Sequence, residues 1–129
     1  MKSGGADFGT FYKVRKRPLK PVETYSGKLL QPGDYEEIPI NTEDYSTVLF
    51  RMGENIHGSC TTCQTMAGRK NRLYVEIAGS KAMVVWDSEE CNKLWIGRRD
   101  GANEILLSDA CFVYPKSAGY TSNPGGHNE

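Results

Sequence analysis

Arg72-Leu-Tyr-Val-Glu-Ile-Ala78, then Gly79-Ser80, then Lys81-Ala-Met-Val-Val-Trp-Asp87, is the stretch whose reading decides the fold. Leu73, Val75 and Ile77 alternate with Arg72, Tyr74 and Glu76, the two-residue period of a strand. Gly79-Ser80 is a two-residue link suited to a type II′ hairpin, because glycine leads. The return strand, 81–87, carries Ala82, Met83, Val84, Val85 and Trp86. A third strand is expected at 93–98 and a fourth around Glu104–Leu107. Residues 72–107 therefore read as an antiparallel meander.

Outward from this stretch the signal stays β. Phe8, Thr10, Tyr12 and Val14 alternate with Gly9, Phe11, Lys13 and Arg15, until Pro18 and Pro21 end the strand or place it on an edge. Gln31-Pro32-Gly33-Asp34 has turn chemistry. Val48, Phe50 and Met52 share one face of a strand at 46–52, and Gly53-Glu54-Asn55 turns it into a strand at 56–65 rich in Thr, Cys and Ser. Helical period is scarce and confined to one-turn candidates at Asn41–Tyr45 and at 108–112. The expected fold is α+β and β-rich. It is an open, mostly antiparallel sheet with few short helices, one face of which is available for oligomer or domain packing. A flexible start is expected at 1–6, the sheet domain at 7–117 and an irregular tail at 118–129.

The chain has 129 residues and 14.4 kDa, which fits one domain with a real core. Sixteen Lys and Arg balance sixteen Asp and Glu, so no basic excess points to nucleic acid. The longest apolar run is Ala82–Trp86, too short for a bilayer, and no apolar stretch follows Met1-Lys2 as a signal peptide requires. The expected location is the cytoplasm, with no membrane partner. Charge is uneven along the chain. Residues 1–28 hold seven bases and two acids, and residues 29–68 hold one base and six acids. Either these two segments face each other, or Lys13, Arg15, Lys16, Arg17 and Lys20 form an anion-binding patch.

Cys60-Thr-Thr-Cys63 invites a zinc or redox reading, but a zinc ribbon wants a second such pair. Cys91 and Cys111 are too far apart to supply one. Odd spacing within a strand sends Cys60 and Cys63 to opposite faces, so reduced, packed cysteines are the expectation and no metal site is assigned. His57 opens a strand as an edge or surface residue. His127 lies in Pro124-Gly-Gly-His127, where glycines let backbone approach a ligand and the imidazole bonds it or moves a proton. Arg69-Lys70-Asn71-Arg72 is a polar cluster between strands, either a solvated connection or an anion site. No dinucleotide fingerprint, P-loop or nucleophile elbow is present, and no catalytic residue is assigned.

Several stretches together resemble the glucose–fructose oxidoreductase / inositol dehydrogenase / MocA family. They are Ala67-Gly-Arg-Lys-Asn-Arg72 with the hairpin Glu76-Ile-Ala-Gly-Ser80, then Asn92-Lys-Leu-Trp-Ile96, and the late Pro124-Gly-Gly-His-Asn-Glu129. The entry segment Arg17–Val22 and the stretch Pro39–Phe50 fit too, and the likeness spans residues 7–129. Ala82 stands where relatives carry glycine. The resemblance is to the family's C-terminal domain alone and implies an open antiparallel sheet that shapes the substrate pocket and oligomerises. A Rossmann domain is the implied partner, with NAD or NADP as the full-length relative's cofactor and none in this chain. Sugar- or cyclitol-like substrates are implied. Arg69, Lys70, Asn71 and His127 are the positions that carry over as substrate contacts. Without the dinucleotide domain and the family's catalytic lysine, the isolated chain is expected to be inactive. The other readings are a non-enzymatic sheet module that pairs with itself or a partner, and a zinc or redox module on Cys60 and Cys63.

Overall fold

A computed structural model describes residues 3–22, 31–109 and 115–120. The chain divides into two compact units, Met1–Ala67 and Gly68–Glu129, where the sequence leads one to expect a single sheet domain. Both units are built from open antiparallel sheets, as the alternation predicts.

In the first unit, β1 (Ser3–Gly9), β4 (Tyr45–Met52) and β5 (Ile56–Cys63) form a three-stranded sheet in the order β1-β4-β5. β2 (Val14–Pro18) and β3 (Tyr35–Pro39) form a separate antiparallel pair. The alternation over 8–15 therefore divides between two sheets. The cause is Asp44. Its Oδ1 accepts the Phe11 N–H at 2.8 Å and its Oδ2 the Tyr12 N–H at 3.1 Å, so these two donors face a carboxylate instead of a neighbouring strand. No helical turn forms at Asn41–Tyr45, where the backbone bends at Thr42 and Asp44 before β4 begins. β1 begins at Ser3, so part of the expected loose start is paired with β4.

Gln31–Asp34 is a turn, as its residues predict, closed as one 3₁₀ turn over Pro32–Asp34 by the Asp34 N–H on the Gln31 carbonyl. Gly53 sits at φ +63°, the left-handed conformation that opens the three-residue link from Met52 to Ile56. β2 and β3 settle the charge question. Lys16 lies opposite Glu37 and Arg17 opposite Glu36, with Arg17 bonded to Glu36 at 2.6 Å and Lys16 above the Tyr35 ring at 4.3 Å. The basic and acidic segments meet each other, as the first of the two readings has it.

The second unit is the meander, with β6 (Tyr74–Ala78), β7 (Ala82–Asp87), β8 (Lys93–Arg98) and β9 (Glu104–Leu107) in that order. A four-residue helix, α1 (Pro115–Ala118), follows. The expected helical turn at 108–112 falls largely outside the described residues. One detail of the β6–β7 hairpin differs from expectation. The Gly79 N–H bonds the Ala82 carbonyl at 2.9 Å, so Ser80-Lys81 is the two-residue link, and Gly79 has no left-handed φ. Pairing one residue further along uses the chain's own donor and leaves glycine's freedom unspent.

Cross-strand partners share a face. One face of the meander carries Val75, Trp86, Leu94 and Leu106 in one row and Ile77, Val84 and Ile96 in the next. The opposite face mixes Val85, Trp95 and Ile105 with Tyr74, Glu76, Asp87 and Lys93. Among the described residues only Ile96, Gly97 and Asp44 are buried. Ile77 is 62% exposed. The described residues thus lay out apolar sheet faces without enclosing a core.

Candidate functional site

The cluster 69–72 leads into β6, beside the Ser88–Glu90 3₁₀ turn that follows β7. The strand pairing continues past Tyr74 through Ser88. Its N–H bonds the Leu73 carbonyl at 2.9 Å, and its hydroxyl oxygen accepts the Leu73 N–H at 2.8 Å. The Ser88 hydroxyl also donates to the Asn71 carbonyl at 3.4 Å. Three residues before the strand, at Asn71, the chain is therefore already held in place.

The two arginines are drawn to acids of this second turn. Arg69 pairs with Glu89. Arg72 donates from Nε and Nη2 to Asp87 Oδ2 at 2.9 and 2.6 Å, and its guanidinium stands 4.5 Å from the Tyr74 ring centre. The Arg72 bonds, with the Glu89 N–H as a second donor, hold the Asp87 carboxyl below its ordinary value. Desolvation, followed by the nearby Glu76 charge, pushes the Tyr74 phenol up. Lys70 lies exposed between the paired arginines. The structure therefore brings Arg69, Lys70 and Asn71 together on one connection, with the Arg69 charge already met by Glu89. His127 lies outside the described residues, as does Cys111.

His57 is on β5, directly opposite Arg51. Cys60 is paired with Val48 and Cys63 with Tyr45, three residues apart along one strand and so on opposite faces. Cys60 and Cys91 are exposed and Cys63 half-buried, so the expectation of core cysteines is corrected. No group of three His, Cys, Asp or Glu side chains with metal-binding geometry occurs among the described residues.

Two features escaped the sequence reading. Asp44, to which the sequence gives no role, is the anchor of the β1–β2 connection. Trp95, taken for an ordinary sheet-face residue, lies along the strand over Gly97; a Cβ on that glycine would stand 2.4 Å from the ring. The signal for the second was the Trp95-Ile-Gly97 spacing, which puts an aromatic and a bare backbone on one face.

Among solved structures this fold occurs as one part of larger oxidoreductases. An oxidoreductase from Sinorhizobium meliloti superposes with a TM-score of 0.69 at 22% identity, covering 98% of this chain and 30% of its own. Levoglucosan dehydrogenase in its apo form superposes with a TM-score of 0.72 at 17% identity, over 98% of this chain and 32% of its own. An inositol dehydrogenase homolog from Azotobacter vinelandii, complexed with NADH and myo-inositol, gives 0.63 at 20% identity, over 69% of this chain and 24% of its own. The chain spans about a third or less of the length of these structures. Its fold is that of a C-terminal domain fragment of such enzymes, as the sequence motifs imply. No protein-family model and no curated protein sequence matches the chain. No helix among the described residues is long and apolar enough to cross a membrane.

Proposed function

We propose that this chain is the substrate-binding and oligomerisation part of a cytoplasmic NAD(P)-dependent oxidoreductase acting on sugar- or cyclitol-like compounds. The reading rests on one observation: 98% of the chain superposes on about a third of levoglucosan dehydrogenase. In this reading the dinucleotide is held by a Rossmann domain that the superposed region does not include. The Rossmann domain supplies hydride transfer, and this chain's residues position the substrate. The connection at 69–72 serves that role. Asp87 and Glu89 fix the arginines, Ser88 fixes the Asn71 backbone, and Lys70 offers three donors to substrate hydroxyls. His127, from the Pro124-Gly-Gly-His127 sequence, would join them. The face bearing Val75, Ile77, Val84 and Trp86 is the one to be covered by another copy or by the enzyme's other domain.

The genomic sequence 5′ to the Met1 codon tests this reading. An in-frame dinucleotide-binding domain, whose product reduces NAD(P) in the presence of a sugar or cyclitol, supports it. A start at Met1 with no such neighbouring reading frame favours the non-enzymatic sheet module instead.

A further inference from the structure

The tip of the β6–β7 hairpin and the end of β8 frame an open hollow of about 430 Å³. It lies at the opposite end of β6 from residues 69–72. Trp95 and Met83 form its apolar wall over Gly97. The Cη2–Cζ3 edge of the ring stands over Gly97, and the half-buried Trp95 also lines the hollow, which leaves ring surface there for another ring to stack on.

The polar lining consists of donors. The Arg99 Nε–H is committed to the Ser80 carbonyl at 2.6 Å, which fixes the guanidinium plane and leaves its two terminal nitrogens. Asn103 Oδ1 accepts the Arg98 N–H at 3.1 Å, so its Nδ2 remains as the donor. Lys81 adds an ammonium to the same lining. In this unit Arg69, Arg72, Lys93 and Arg98 are all matched to acids. Lys81 and Arg99 are in no ion pair among the described residues. Glu104 is engaged by Arg98 at 2.9 Å, and Asp100 lines the adjoining depression.

Two cations outside any ion pair among the described residues, an amide donor and a half-buried aromatic ring in the lining call for a ligand with anionic oxygens at one end and a ring at the other. We propose that this hollow binds a small ring-bearing oxyanion, a cyclic carboxylate or phosphate ester, with its ring on Trp95 and its charge on Lys81 and Arg99. The site stands apart from the connection at 69–72 and does not rest on the enzyme reading above.

Isothermal titration of the full chain tests it with glucuronate, glucose 6-phosphate, benzoate, glucose and inorganic phosphate. Binding by glucuronate or glucose 6-phosphate identifies a sugar ring, and binding by benzoate an aromatic one; either supports the proposal. Glucose and inorganic phosphate are expected to bind at least about tenfold more weakly, since each lacks half of the recognised chemistry. The double variant Lys81→Ala, Arg99→Ala should lose about tenfold or more for the ring anions, and Lys81→Ala alone, which leaves the Arg99 bond to Ser80 in place, should weaken their binding with an unchanged melting midpoint. NMR on the unmodified chain should show ligand-induced shifts at the Trp95 indole and the Asn103 amide, and none at Trp86. Equal binding of glucose or inorganic phosphate, undiminished binding by the double variant, shifts absent from Trp95, or no binding by any ring anion would each overturn the proposal.

Discussion

Asp44 shows how one side chain divides a strand pattern. It is 3% exposed, and its two oxygens hold two consecutive backbone N–H groups, with Arg15 at 3.4 Å behind them. The Phe11 N–H contributes most to keeping this carboxyl below its ordinary value of 3.8, and desolvation opposes it. The linkage has a definite sign. A lowered folded value means that the stabilisation is complete above the unfolded value and is lost as pH falls through the folded one. Thermal melts from pH 7 downwards should therefore show stability declining below about pH 4, with a shallower decline in Asp44→Asn. The variant should also be less stable at pH 7, because its amide nitrogen would face a backbone N–H. Equal acid limbs for the two proteins would remove Asp44 from this role. Gly58 is the second informative residue. A Cβ there would stand 2.3 Å from the Phe50 ring across the β4–β5 pair. Gly58→Val should cost about 1–3 kcal/mol in urea unfolding. In a Phe50→Ala background the cost should largely vanish, a non-additivity that marks direct contact.

At the scale of elements, the meander was legible because period-two alternation does not depend on what covers the sheet. β6, β7, β8 and β9 fall within two residues of where Leu73, Val84, Trp95 and Leu106 place them. Turns were less legible. Gly79 suggested a glycine-led hairpin, yet backbone pairing reached one residue further and made Ser80-Lys81 the link. The Asn41–Tyr45 segment forms no helical turn, and Asp44's partners, Phe11 and Tyr12, lie more than thirty residues away, beyond any local pattern. The candidate site was legible as a polar cluster. That Asp87 and Glu89 would neutralise its arginines was not, since the pairing depends on the β6–β7 register. The Ser88 bonds to Leu73 extend that register past the end of the strand. Ser88→Ala should remove an acceptor and cost about 0.5–1.5 kcal/mol. Hydrogen exchange should locate the effect, with the Leu73 amide losing protection while amides at the hairpin tip keep theirs. Loss of protection across the whole meander would instead mean that the residue supports the entire sheet.

The whole molecule poses a question of coverage. A chain of 129 residues ordinarily removes about two-thirds of its unfolded surface from water, but here the described residues bury only Ile96, Gly97 and Asp44. On one face of the meander, Val75, Trp86 and Leu94 stand in line with Ile77, Val84 and Ile96, and the only charges in register with them, Arg98 and Glu104, neutralise each other. Val75 and Ile77 are exposed at one side of this face while Ile96 at its centre is buried, and an apolar edge left open in this way marks a surface meant for another protein surface. In isolation the chain has its own copies as the available partner, because the face carries no net charge to repel a second copy. Sedimentation velocity over a range of concentrations should show mass-action self-association. Ile77→Asp should shift it towards monomer: Ile77 is already 62% exposed, so the new charge costs the monomer little and must be desolvated only in the assembly. Glu76→Gln, a neighbouring substitution on the opposite face, serves as the control and should leave association unchanged. If the chain remains monomeric at every concentration, the apolar face belongs to a contact that another domain supplies, and Ile77→Asp should then weaken attachment to that domain instead.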